Sequence, residues 1–271
     1  MSTGQASPAD AGTPVPTASA VPDRRIDRLR IYNAVMGLLH AVQGVAILLL
    51  ANDFSLPVTA TFLDGPPGSG LVRTAHLFDV PFGAAIATFL FISAAAHWIL
   101  ASPLAFGWYR ANLLRGRNYA RWIEYAFSSS LMVVLIAMLP GISDVAALGA
   151  IFGVNAAMIL FGLLMEHYEQ PGRPNWMSYW FGVLTGAVPW VLIGVYLWNP
   201  GSDVAAPGFV YAIFFSLFVF FNSFAVNMVL QYRRVGPWRD YLFGEGVYIA
   251  LSLLAKSALA WQVFAGTLAP R

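Results

Sequence analysis

The chain has no cysteine, which excludes disulfides, thiolate metal centres and cysteine nucleophiles. Charge is scarce as well: 10% of its 271 residues are Asp, Glu, Lys or Arg, against roughly 25% in an ordinary soluble domain. That is too little to cover a surface facing water. Of the 15 Lys and Arg residues only Lys256 is a lysine. No segment repeats, so the internal symmetry of an inverted-repeat transporter is missing. The first residues also lack the apolar core of a signal peptide.

What is present is apolar. Hydrophobic residues make up 58% of the chain and aromatics 15%, with 24 Gly and 17 Pro, the close-packing residues, helix breaks and interfacial rings of helical bundles in bilayers. Lipid is therefore the solvent, and a nucleic-acid binder is excluded. The sequence pI of about 9.0 reflects a net charge of only +2, which reads as an orientation signal rather than a basic docking surface.

Residues 1–23, rich in Ala, Ser, Thr and Pro, read as a disordered cytoplasmic tail. Residues 24–271 form one transmembrane domain, in which apolar stretches long enough for a ~30 Å hydrocarbon layer recur. The predicted spans are 29–51, 76–100, 112–139, 145–167, 176–198, 208–231 and 241–268. The fold class is thus an all-α membrane protein of seven helices. The connection 52–75, with Gly65-Pro66-Pro67-Gly68, is long enough to hold a hairpin or a partner surface.

Arginines set the expected orientation. Arg24, Arg25, Arg28 and Arg30, then Arg110, Arg115 and Arg117, then Arg173, Arg233, Arg234 and Arg239 all fall on one face, while only Arg73 and Arg271 fall on the other. The positive-inside rule then places the amino terminus in the cytoplasm and the carboxyl terminus outside, in a multi-pass protein of the cell membrane.

A charge at the centre of a membrane helix costs ~2.5–3.5 kcal/mol on insertion scales, so each needs a partner or a use. Lys256 lies too deep in the last span to snorkel. Where every other cation is arginine, this position needs an amine as such, and a desolvated amine can condense with an aldehyde. The candidate partner is Glu124, the only carboxylate well inside a span. Ser128 at i+4 and Arg121 at i−3 would extend it into one polar strip, and Ser252 stands one turn before Lys256. A serine at that place also commonly bonds to its own i−4 carbonyl. For Glu124 to reach the depth of Lys256, the third span is expected to begin near Arg110, with Arg115 and Arg117 in its first turns. His40 and His97 are the remaining polar residues of interest in the spans. Nothing at metal-ligand spacing accompanies them, so no metal site is expected.

The stretch Tyr248-Ile249-Ala250-Leu251-Ser252-Leu253-Leu254-Ala255-Lys256-Ser257-Ala258-Leu259-Ala260-Trp261-Gln262 resembles the seventh helix of heliorhodopsins. Arg117-Asn118-Tyr119-Ala120-Arg121-Trp122-Ile123-Glu124-Tyr125 resembles their third. The similarity extends over all seven spans, and the orientation expected from the arginines is also that family's.

The resemblance implies a rhodopsin-like bundle and all-trans retinal bound to Lys256 as a protonated Schiff base, with Glu124 as counterion. It implies that Ser252 and Ser128 hydrogen-bond near that linkage. Asn155 and Trp180 would line the pocket, with Tyr125 and Phe224 also binding the chromophore. His40 and His97, with Arg121 and Glu245, would form a polar network. It further implies a homodimer with the first extracellular loop in the interface, and a photosensory or regulatory protein, not an enzyme, that isomerises its retinal without pumping ions. The departures from proton pumps agree: where those resemble one another in having acids, this chain has Ser252 and Leu135, and Leu135 can neither take up nor release a proton. A light-driven proton or ion transporter is the alternative, and a chromophore-free scaffold a third reading. No docking motif names a downstream partner.

Overall fold

A computed structural model of the protein describes residues 23–270 apart from Pro200 and Ser202. The expected tail, residues 1–23, lies outside the described residues except for Asp23, which opens the first helix. Helices α1 (Asp23–Leu50), α2 (Phe82–Ala101), α4 (Tyr119–Met138), α5 (Val145–Tyr168), α6 (Met177–Trp198), α7 (Gly208–Tyr232) and α8 (Tyr241–Val263) form a seven-helix bundle. Seven helices are long and apolar enough to cross a membrane, the last continuing through a π-turn to Leu268. They pack in sequence, and α8 returns against α1 to close the ring; α6 and α7 touch least among neighbours.

A hairpin and a short helix are among the elements outside the spans. Strands β1 (Ser55–Leu63) and β2 (Val72–Pro81) pair antiparallel into the hairpin that the 52–75 connection allowed. The second span accordingly starts at Phe82 rather than 76, because residues 76–80 complete a strand. Helix α3 (Pro103–Leu113) is a short additional helix between α2 and α4. The hairpin marks one face of the bundle, the "hairpin face". The start of α1, α3 and the loops after α5 and α7 mark the opposite, arginine-rich face.

The third span corrects the expected boundary. It begins at Tyr119, not near Arg110, and Arg115 and Arg117 belong to the linker before it. The physical reason is local: Gly116 takes a φ of 68°, a left-handed conformation that favours glycine. Asn118 then caps the new helix by accepting a hydrogen bond from the Arg121 amide at 3.2 Å. Asn118 is itself 2% exposed and donates to Glu166 and Glu245, so α4 starts inside the bundle. Glu124, its sixth residue, is therefore already deep.

The core is polarised along the bundle axis. Toward the hairpin face, Met132, Leu135, Ile136, Leu259 and Val263 pack with Ile86 and Leu90 into one apolar cluster. Toward the arginine-rich face, buried polar side chains such as Asn118, Arg121, Glu166 and Glu245 lie among the apolar ones. Single hydrogen bonds between membrane helices average only about 0.6 kcal/mol, so close fit supplies the rest. The cover by glycine is concrete at Gly162 on α5, where an added Cβ would lie 2.4 Å from the Trp122 ring.

Candidate functional site

Lys256 and Glu124 come together. Lys256 Nζ donates to Glu124 Oε1 at 3.2 Å and to Ser252 Oγ at 2.9 Å, with the lysine and glutamate side chains 4% and 9% exposed. Ser252 is one turn before the lysine, so helix geometry alone delivers its hydroxyl. Glu124 is held from α2 as well, where Ser93 Oγ donates to Oε1 at 2.6 Å. Ser128 is fully buried one turn beyond Glu124, with Oγ in hydrogen-bonding geometry to no described group. The Tyr125 ring faces the ammonium with its centroid 5.0 Å from Nζ, and its hydroxyl donates to the Tyr248 carbonyl at 2.9 Å. Two charges that are each expensive in an apolar interior thus compensate one another.

Arg121 does not join Glu124 in a strip. Its guanidinium turns toward the arginine-rich face, where it pairs with Glu245 and, at 2.6 Å, with Glu166. A residue at i−3 is one turn away only along the axis, and the long side chain takes the two carboxylates below it instead. Asn118 Nδ2 donates to Glu245 Oε1 at 2.6 Å and Trp122 Nε1 to Glu166 Oε2 at 2.7 Å. Glu245 therefore belongs to a buried network, as expected, but one centred on Arg121 and Glu166 rather than on Lys256. His40 and His97 stack on α1 and α2 with centroids 5.6 Å apart. His97 Nδ1 is 2.7 Å from Asn33 Oδ1, while neither ring nitrogen of His40 has a hydrogen-bond partner among the described residues.

On the other side of the pair, α4 to α8 enclose a cavity of about 340 Å³ that ends at Lys256. Tyr125, Trp190, Phe218, Phe221 and Phe224 supply aromatic walls, and Ser252 and Lys256 the polar end. Trp190 makes edge contacts with Phe214, Phe218 and Phe221, which fix the orientation of its ring. The cavity reaches the outer surface between α6 and α7 at Val183, Ala187 and Asn222. An amine in the wall of a flat, aromatic chamber, with one carboxylate beside it, fits a long apolar conjugated aldehyde.

Tyr125 and Phe224 are in the lining; the expected Asn155 and Trp180 are not. Trp180 is 63% exposed because its neighbour Tyr179 takes the inward direction, and successive helical residues point about 100° apart. Asn155 lies behind the wall, donating to Ser129 at 2.9 Å and Ser130 at 3.0 Å, and only Ser129 faces the cavity. Sequence reasoning passed over Ser93, Glu166, Asn33, Tyr109 and the inward role of Trp190. Ser93 had a legible signal, since it stands one turn before His97.

No curated protein matches the sequence. Among solved structures, the crystal structure of the proton-pumping rhodopsin AR2 from the marine alga Acetabularia acetabulum superposes with a TM-score of 0.60 at 15% identity, covering 92% of this chain and 98% of that one. At that identity the likeness shows a shared rhodopsin-like fold. The heliorhodopsin family profile matches residues 29–268, which takes in all seven helices and the paired Lys256 and Glu124. The chain therefore belongs to the heliorhodopsin family, the retinal-based photoreceptors of the membrane.

Proposed function

We propose that Lys256 carries all-trans retinal through Nζ, that Glu124 is the counterion, and that the protein is a light sensor or regulator rather than an ion pump. The observation that carries the reading is the position of Lys256 Nζ, at the polar end of the aromatic cavity and bonded to Glu124 and Ser252. When bound, retinal supplies an aldehyde that condenses with an amine and a polyene that isomerises on absorbing light.

The residues then divide the work. Glu124 holds the positive charge and the proton at Nζ in place, and Ser93 keeps its carboxylate oriented. Ser252 gives Nζ a second polar neighbour. Trp190, Tyr125 and Phe224 exclude water and confine the long axis of the chromophore. Any shift of the Nζ proton relative to Glu124 changes the field on His97, a local electrostatic event that biases packing on the arginine-rich face.

The absence of pumping is supported by the polarised core. Beyond the pair toward the hairpin face, Met132, Leu135, Ile136, Leu259 and Val263 are apolar and, among the described residues, no buried titratable side chain joins them, whereas transfer across a membrane needs groups that take up and release a proton on both sides. A transporter remains the second reading, since polar residues do run from the site to the arginine-rich face. Eleven arginines on that face support placing it, with the amino terminus, in the cytoplasm. The hairpin then lies outside, and its exposed Phe62, Leu63, Val72 and Phe78 support a homodimer through this loop. Residues 24–271 are the retinal-binding unit in this reading, and 1–23 a cytoplasmic tail.

The test is illumination of cells expressing the protein with all-trans retinal. A visible band without a light-induced pH change or current is expected. A pH change abolished by Glu124→Gln would establish the transporter instead.

A further inference from the structure

A run of hydrogen bonds leads from His97 toward the arginine-rich face and passes through a helix too short to cross a membrane. Ser93 and His97 lie one turn apart on α2. Asn33 Oδ1 sits 2.7 Å from His97 Nδ1, and Asn33 Nδ2 donates both to the Leu29 carbonyl at 2.8 Å and to Tyr109 OH at 3.3 Å. Tyr109 in turn donates to Glu245 Oε1 at 3.4 Å. Asn33 and Tyr109 are 1% and 0% exposed, so bulk water does not replace either partner. The run has one polarity: with Nδ2 committed as a donor, Asn33 Oδ1 accepts and His97 Nδ1 carries the hydrogen. Were His97 to stop donating, Asn33 Oδ1 would lose its partner, and the hold of the same amide on Tyr109 would change with it.

Tyr109 belongs to α3, whose two faces differ. Tyr109, Asn112 and Leu113 are buried, whereas Leu104 is 97% and Trp108 49% exposed. Trp98 and Ile99 near the end of α2 are exposed as well, and exposed Arg115 follows α3. A short helix whose exposed apolar face carries a tryptophan and is followed by a basic residue matches the headgroup layer of a bilayer. Leu113 is buried in the same apolar cluster as Tyr109, and the Phe106 ring centroid lies 4.4 Å from the Arg30 guanidinium.

We propose that α3 rests its Leu104 and Trp108 face in the lipid headgroup layer, and that Tyr109, through Asn33 and His97, makes its position depend on the state of the Lys256 and Glu124 site. The proposal rests on the retinal reading above. Tyr109 acts as a positioning residue for α3 and has no contact with the cavity lining.

The cysteine-free chain allows a clean test. Leu104→Cys, carrying a nitroxide label, is reconstituted with all-trans retinal in phosphatidylcholine vesicles and followed by electron paramagnetic resonance in the dark and under light. In the dark the label should relax with lipid-soluble oxygen more than with a water-soluble nickel chelate. Illumination should change its line shape. Tyr109→Phe and, separately, Asn33→Ala should lose that change while keeping the light-induced change in retinal absorption. A label exposed to water in the dark, a line shape indifferent to light, or a response preserved in both variants overturns the proposal. If retinal absorption itself does not respond to light, the underlying reading fails, and this inference with it.

Discussion

Lys256 Nζ on α8 lies 3.2 Å from Glu124 Oε1 on α4, although 132 residues separate them in sequence. The lysine is about 22 Å along α8 from its start and the glutamate about 8 Å along α4, taking 1.5 Å per residue. They meet because α4 begins inside the bundle, with Asn118 buried against Glu166 and Glu245.

Lys256 is expected to be the attachment point. With retinal added, Lys256→Ala should show no visible band, and Lys256→Arg none either, because a guanidinium does not condense with an aldehyde. Absorption spectra with and without hydroxylamine check this; a retained, bleachable band in Lys256→Ala would place retinal elsewhere.

Glu124→Gln removes the carboxylate from the cation. The band should move to longer wavelength, or the proton at the linkage should be lost at lower pH than in the parent protein. A spectrophotometric pH titration reads both. A spectrum and titration identical to the parent's would mean that the counterion is another group.

Gly162→Ala and Gly186→Ala should differ although both faces are crowded. At Gly162 the new methyl would meet the Trp122 ring at 2.4 Å; at Gly186 it would meet Met158 Sδ at 2.4 Å. A rigid indole can yield only by moving into the cavity, whereas methionine has three torsions to adjust. Retinal uptake, followed as growth of the visible band, should be slowed strongly by the first and little by the second.

Arg121→Gln leaves Glu166 and Glu245 buried without their shared cation. Breaking such a group by removing one partner typically costs about 3–5 kcal/mol. Thermal loss of the visible band should therefore occur at distinctly lower temperature, with the dark absorption maximum nearly unchanged, since Arg121 bonds to neither Glu124 nor Lys256. A large spectral shift without loss of stability would reverse that assignment of roles.

Much of the site was legible because it consists of exceptions. A lone lysine and a carboxylate well inside a span stand out against apolar helices, and Ser252 follows from one turn of spacing. The pairing of Arg121 with Glu166 and Glu245 was not legible: the resemblance put Arg121 and Glu245 in a network with the histidines, and Glu166 sits near a span end, where sequence alone gives it the ordinary role of an interfacial charge. Nor could Trp180 be told from its neighbours: aromatic residues on all sides of α6 leave no amphipathic pattern to mark the inward face.

The sequence by itself determined the class of molecule, its membrane helices to within a few residues at most ends, and the family to which it belongs. Hydropathy and local motifs carry that information, since a span must satisfy its own backbone and exclude charge regardless of its neighbours. Only the tertiary structure decided where α4 starts, that Arg121 faces away from Glu124, which aromatics line the cavity, and that α3 touches the interior through Tyr109. Each of these depends on rotation and depth of one helix relative to another. Those are set by packing of side chains far apart in the chain, such as Trp122 against Gly162 and Asn118 against Glu245, which no local spacing encodes.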